Sequence, residues 1–172
     1  MENRITTKKL TILSLSLAYA MILSYVESLF PFFYGVPGMK LGLPNMAIVF
    51  ILYVYGSREG ILINILRIVL TGFLFGSLFG ILFSVFGALF SFIFMVLFKK
   101  MNFFDMGGVS VIGGIAHNIG QLFVACFIVK TSGILFYLPP LLIAGAITGY
   151  VNGFIAERMK IHLEKSLTGR FL

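Results

Sequence analysis

The chain has little of what soluble or catalytic domains are built from. Of its 172 residues only 11% are charged, and it contains one cysteine, one aspartate and no tryptophan. Soluble domains carry about 25% charged and about 45–50% apolar residues, whereas here 59% are hydrophobic and the mean hydropathy is +1.05. A domain of this length still leaves much of its surface outside, so the apolar excess excludes a soluble globular enzyme, and it equally excludes a disordered chain. The single Cys126 excludes a disulfide framework and a cysteine zinc cluster. Of the two histidines, His162 falls in the expected terminal tail and none accompanies His117, so no metal site is expected. The chain has no G-x-x-x-x-G-K-[ST] segment to cradle ATP. Its lone Asp105 cannot supply the paired aspartates that hold Mg²⁺ on a diphosphate, and no Ser, Cys or His constellation points to hydrolysis. No catalytic residue and no bound cofactor are expected.

Long apolar runs fill the space those absences leave. A transmembrane helix needs about 20 apolar residues. The runs and their breaks predict an all-α integral membrane protein, a single domain of six helices over 10–30, 43–56, 59–75, 78–98, 107–129 and 137–156, with 157–172 as a cytoplasmic tail. The second run is short. The third and fourth are divided by a turn placed at Gly76-Ser77.

The basic residues test this count. Six spans put Arg4, Lys8, Lys9, Arg58, Lys99, Lys100, Arg158, Lys160, Lys165 and Arg170 on one side and only Lys40 and Lys130 on the other, with Arg67 inside a span. By the positive-inside rule both termini are cytoplasmic. Basic residues placed between apolar blocks mark topology rather than a nucleic-acid surface.

Small residues recur at four-residue spacing: Ser16, Ala20 and Ser24 on the first helix, and Gly145, Gly149 and Gly153 on the sixth. Gly113, Gly114 and Gly120 mark the fifth. Small residues let helix backbones approach closely in lipid. The first stripe either packs inside the bundle or docks a partner membrane protein.

Polar residues inside spans are costly and are therefore candidates for function. Asn64, Arg67 and Thr71 share one helical face. That face either binds a ligand or ties Arg67 to Glu27 or Glu59. His117 and Gln121 stand one turn apart beside Asn118, either reading a polar group or bridging helices by hydrogen bonds. The segment Pro37-Gly38-Met39-Lys40-Leu41-Gly42-Leu43-Pro44-Asn45 is the densest turn-forming stretch. It is expected at the outer mouth, as a connector or as a loop capping a pocket with Lys40 and Asn45. Glu27 is placed to pair with Lys40 or to face the same pocket.

Three of these segments together carry a family resemblance: residues 37–45, the Asn64/Arg67 helix leading to Gly76-Ser77, and His117-Asn118-Ile119-Gly120-Gln121. Over about residues 10–160 the chain resembles the Gx transporter family, also labelled heptaprenyl diphosphate synthase component I, which is similar to substrate-binding S components of energy-coupling factor transporters. The family pattern has Ala-Asn where this chain has Pro44-Asn45. The resemblance implies a six-helix subunit in the cytoplasmic membrane that captures a small molecule outside. It would work with a membrane coupling subunit and two cytoplasmic ATPase subunits that consume ATP. It also implies that Ser16, Ala20 and Ser24 contact the coupling subunit. The synthase label implies instead an accessory role in prenyl diphosphate synthesis.

Overall fold

The computed structural model describes residues 6–29, 40–130 and 132–168. Pro37, Gly38 and Met39 of the turn-rich segment lie outside the described residues, as do Arg4 and Arg170. Six α-helices follow one another: α1 (Thr7–Leu29), α2 (Asn45–Val54), α3 (Ser57–Phe75), α4 (Leu78–Met101), α5 (Met106–Val129) and α6 (Leu138–Thr168), with a 3₁₀ turn at Ser132–Tyr137 before the last. Four helical segments, Thr7–Leu29, Leu78–Met101, Met106–Ile128 and Gly133–Ser166, are long and apolar enough to cross a membrane. The chain is a helical membrane bundle.

The helix ends follow from local chemistry. Ser77 caps α4 by accepting from the Gly80 amide at 3.1 Å, and Asp105 caps α5 by accepting from Gly108 at 2.7 Å. Each cap satisfies an amide that the first helical turn leaves without a partner. Asn102 ends α4 in the left-handed conformation, directly after Lys99-Lys100. Pro139 and Pro140 sit in the first turn of α6, where a missing amide costs nothing.

Two boundaries differ from those expected. α6 does not stop at residue 156 but continues as helix to Thr168. At 1.5 Å per residue its 31 residues reach about 46 Å, beyond a hydrocarbon core of about 30 Å. The expected tail is therefore largely a rigid extension of the last span. α2 has only 10 residues, about 15 Å, and cannot cross alone. Pro44, in helical conformation at φ −61°, starts it, and Asn45 to Leu52 are all buried. α2 is a core half-helix around which the others pack.

The glycines set how close the helices come. Gly145, Gly149 and Gly153 of α6 interlock with Gly114, Ser110 and Gly107 of α5. A Cβ on Gly149 would lie 2.6 Å from the Ser110 oxygen, and one on Gly153 would lie 2.9 Å from the Gly107 Cα. On its other side α5 meets α4, where Gly120 approaches the Phe86 oxygen and Gly113 approaches Met95. At one end of the bundle Lys9 pairs with Glu59, and the Lys99 ammonium donates to the Leu52 carbonyl and lies 4.7 Å from the Tyr53 ring centroid. The starts of α1 and α3 and the ends of α2 and α4 thus share the lysine-rich end.

The small stripe of α1 is turned inward. Ser16, Ala20 and Ser24 are all buried within this chain, the packing alternative of the two expected for the stripe, although Ser16 also lines an open cleft between α1, α2 and α6. Ala20→Trp is accordingly expected to cost folding, about 1–3 kcal/mol or more by overpacking, read as a lower melting temperature in detergent. An unchanged melt would return the stripe to partner docking.

Candidate functional site

The site is built around a loop that dives into the bundle. Residues 40–44 do not stay at the outer mouth. The Lys40 amide donates to Gln121 Oε1 at 2.9 Å, and Gly42 packs against His117, at the midpoint of α5. Irregular backbone is tolerated at membrane depth only where protein satisfies its polar groups, and here three helices do so. Glu27 of α1 accepts from the Gly42 and Leu43 amides at 2.6 and 3.3 Å. Asn152 of α6 donates to the Gly42 carbonyl at 3.0 Å, and the Thr148 hydroxyl is shared between the Ala144 carbonyl at 2.9 Å and the Leu41 carbonyl at 3.3 Å. Of the two expected roles of Glu27, pairing with Lys40 or facing the pocket, no Glu27–Lys40 ion pair within 4 Å is formed; both loop amides bond Glu27 Oε1, and Lys40 acts on the carboxylate only at longer range.

Gly42 makes the dive possible. Its φ is +87°, and a Cβ would meet His117 Cδ2 at 3.0 Å and Asn45 Nδ2 at 3.1 Å. Gly42→Ala is expected to cost about 1–2 kcal/mol from the left-handed backbone alone, and to displace His117 as well. Thermal melting with and without ligand checks both.

Beneath the loop the polar side chains converge. Glu27, Asn45, Asn64, Arg67, His117, Asn118 and Gln121 are all buried, and Lys40 is half-buried. Gln121 Nε2 lies 2.7 Å from His117 Nε2, so an amide N–H donates to a ring acceptor and the neutral ring carries its proton on Nδ1. That ring lies flush against Gly87 of α4, where a Cβ would come within 2.7 Å. Asn45 Nδ2 reaches Ser91 Oγ at 3.4 Å, and Asn118 donates to the Leu141 carbonyl at 2.7 Å, tying α5 to α6. The carbonyl oxygens of Asn118 and Asn152 are buried without partners among the described residues.

Arg67 is the electrostatic centre. Arg67 is 3% exposed; its guanidinium donates to Asn64 Oδ1 at 2.7 Å, and its Nε has no partner among the described residues. Thr71, expected on the same face, donates its hydroxyl to the Arg67 carbonyl at 2.8 Å. Among the described residues no carboxylate lies within ion-pair distance of Arg67. Glu59, one of its two expected partners, binds Lys9 instead. Glu27, the other, is within electrostatic range but bonds to the loop. Residues 30–39 contain no acid that could serve. Arg67 and Lys40 against Glu27 leave the buried site one positive charge in excess. Among the described residues no three His, Cys, Asp or Glu side chains gather as metal ligands.

A profile of the family described as heptaprenyl diphosphate synthase component I matches residues 16–159. The chain belongs to that family. No curated protein and no solved structure matches it. The matched stretch holds every residue of the buried cluster, from Glu27 to Asn152. Ser91, Thr148 and Asn152 were not singled out from the sequence. Each is a polar residue on an apolar helix, a signal as legible as Asn64, but none sits beside a charge or a histidine.

Proposed function

We propose that this chain is the substrate-capturing membrane subunit of an energy-coupling-factor-type uptake transporter in the cytoplasmic membrane. It takes a small vitamin-like or cofactor-precursor anion from outside and works with a membrane coupling subunit and two ATPase subunits. The observation that carries this reading is Arg67: among the described residues a buried guanidinium with one hydrogen-bond partner and no carboxylate bonded to it, in the same polar cluster as a loop whose backbone is tied down from three helices. An uncompensated buried charge is costly, and an anionic ligand holding the planar fork bidentately supplies the missing partner. Asn64, His117, Gln121 and the open carbonyls of Asn118 and Asn152 offer further polar contacts, with Lys40 and Asn45 on the loop side.

The family's description favours a second reading, an accessory of prenyl diphosphate synthesis. The single aspartate in the sequence weighs against a catalytic share in it, since Mg²⁺–diphosphate chemistry rests on clustered carboxylates. Reconstitution separates the two readings. Co-purification with candidate ATPase subunits should give substrate-stimulated ATP hydrolysis and uptake into vesicles. Unchanged uptake in a deletion strain, with long-chain prenyl diphosphate depleted, would instead establish the accessory role.

A further inference from the structure

Among the described residues six buried side-chain nitrogen or oxygen atoms have no hydrogen-bond partner: Ser24 Oγ, Arg67 Nε, Ser110 Oγ, His117 Nδ1, Asn118 Oδ1 and Asn152 Oδ1. They are not equivalent. A serine hydroxyl in a helix can turn to a carbonyl of its own preceding turn, so Ser24 and Ser110 demand no outside partner. His117 Nδ1 is closed off by α4, where a Cβ on Gly87 would lie 2.9 Å from it. The two asparagines cannot adjust. Asn118 Nδ2 is committed to the Leu141 carbonyl and Asn152 Nδ2 to the Gly42 carbonyl, so turning either amide over would set oxygen against oxygen. Each therefore holds a fixed, open acceptor in the polar cluster, Asn118 beside His117 and Asn152 at Gly42. A ligand made only of acceptors satisfies Arg67 and leaves both of these oxygens unpaired.

The charge count narrows the anion. Arg67, Lys40 and Glu27 act on one another electrostatically, and the 30–39 segment adds no charge to their excess of one positive. A single carboxylate neutralises that excess. A phosphate monoester carries about −1.5 to −2 at pH 7 and would set surplus negative charge against Glu27.

We infer that the captured anion is a monocarboxylate that also carries N–H or O–H donors, with its carboxylate on the Arg67 fork and its donors on Asn118 and Asn152. This rests on the reading of Arg67 as the capture site and adds the substrate class. A site built to bond a donor rejects the analogue that lacks it, because a buried acceptor is then left unpaired.

The test titrates the full chain in detergent with three probes by calorimetry: short ω-ureido carboxylates of increasing length, n-alkyl carboxylates of matched length, and inorganic phosphate. The best ureido acid should bind at least tenfold more tightly than its alkyl counterpart and than phosphate. Asn118→Leu and Asn152→Leu should each shrink the ureido-to-alkyl ratio toward one. The ratio is taken within one protein, so a general loss of folded material does not mimic the effect. Arg67→Gln should abolish binding of both acids. Equal, Arg67-dependent affinities for the ureido and alkyl acids would show that water serves the asparagine oxygens; the donor class is then wrong while Arg67 remains the capture site. Phosphate binding more tightly than every acid, again through Arg67, would overturn the carboxylate and leave the capture site standing. If no probe binds in an Arg67-dependent way, both readings fall.

Discussion

Arg67→Ala is expected to lower ligand affinity by on the order of 2–5 kcal/mol, because it leaves the ligand's buried anionic group without its partner. The same substitution should leave the melting temperature of the ligand-free protein unchanged or higher. Removing one member of a buried ion pair is strongly destabilising, but among the described residues no carboxylate bonds this guanidinium and Glu27 acts on it only at longer range, so its removal relieves a poorly compensated charge. Arg67→Lys should fall between wild type and alanine, since an ammonium keeps the charge but loses the planar fork. Lys40→Ala should cost less than Arg67→Ala, because Lys40 is only half-buried and its exposed part is screened. Titration calorimetry paired with thermal melting reads both quantities. Normal binding with a much lower melt would make Arg67 a structural residue.

The second large effect is structural. In Gly114→Ala the added methyl would collide with the Gly145 carbonyl oxygen and press on the Gly149 Cα, both of them backbone that cannot rotate away. The expected cost is about 3 kcal/mol or more, at the upper end for overpacking. The loss should also reach the site, because separating α5 from α6 pulls Asn118 from Leu141 and draws Thr148 and Asn152 away from the loop they hold. Gly107→Ala is the control: its Cβ would find nothing nearer than 3.6 Å, so its melt should stay close to wild type. Equal melts for the two variants would refute the interlocked α5–α6 contact.

What the sequence made legible follows what periodicity and cost can report. Apolar length and charge placement locate the helices and the Gly76-Ser77 turn, because a span must be apolar and its basic flanks fall on one side. The price of a polar group in lipid identifies Asn64, Arg67, His117 and Gln121 as inward-facing, and all four are buried together. Depth was not legible. Nothing in the Lys40–Asn45 pattern tells a loop at the bundle mouth from one at its middle, since that depends on Glu27, Gln121 and Asn152 arriving from elements distant in sequence. The small stripe of α1 was ambiguous for the same reason: Ser16, Ala20 and Ser24 specify close approach without specifying to what. The helical continuation of α6 past Ala156 was obscured by its charges, which end an apolar span but not a helix.

The most direct test of the capture site is mass spectrometry of small molecules retained by the purified protein, comparing wild type with Arg67→Gln at matched folding. The account predicts an anionic molecule bound near one per chain in wild type and lost from the variant. A wild-type protein that retains none, or the same molecule at the same occupancy in both proteins, would contradict it.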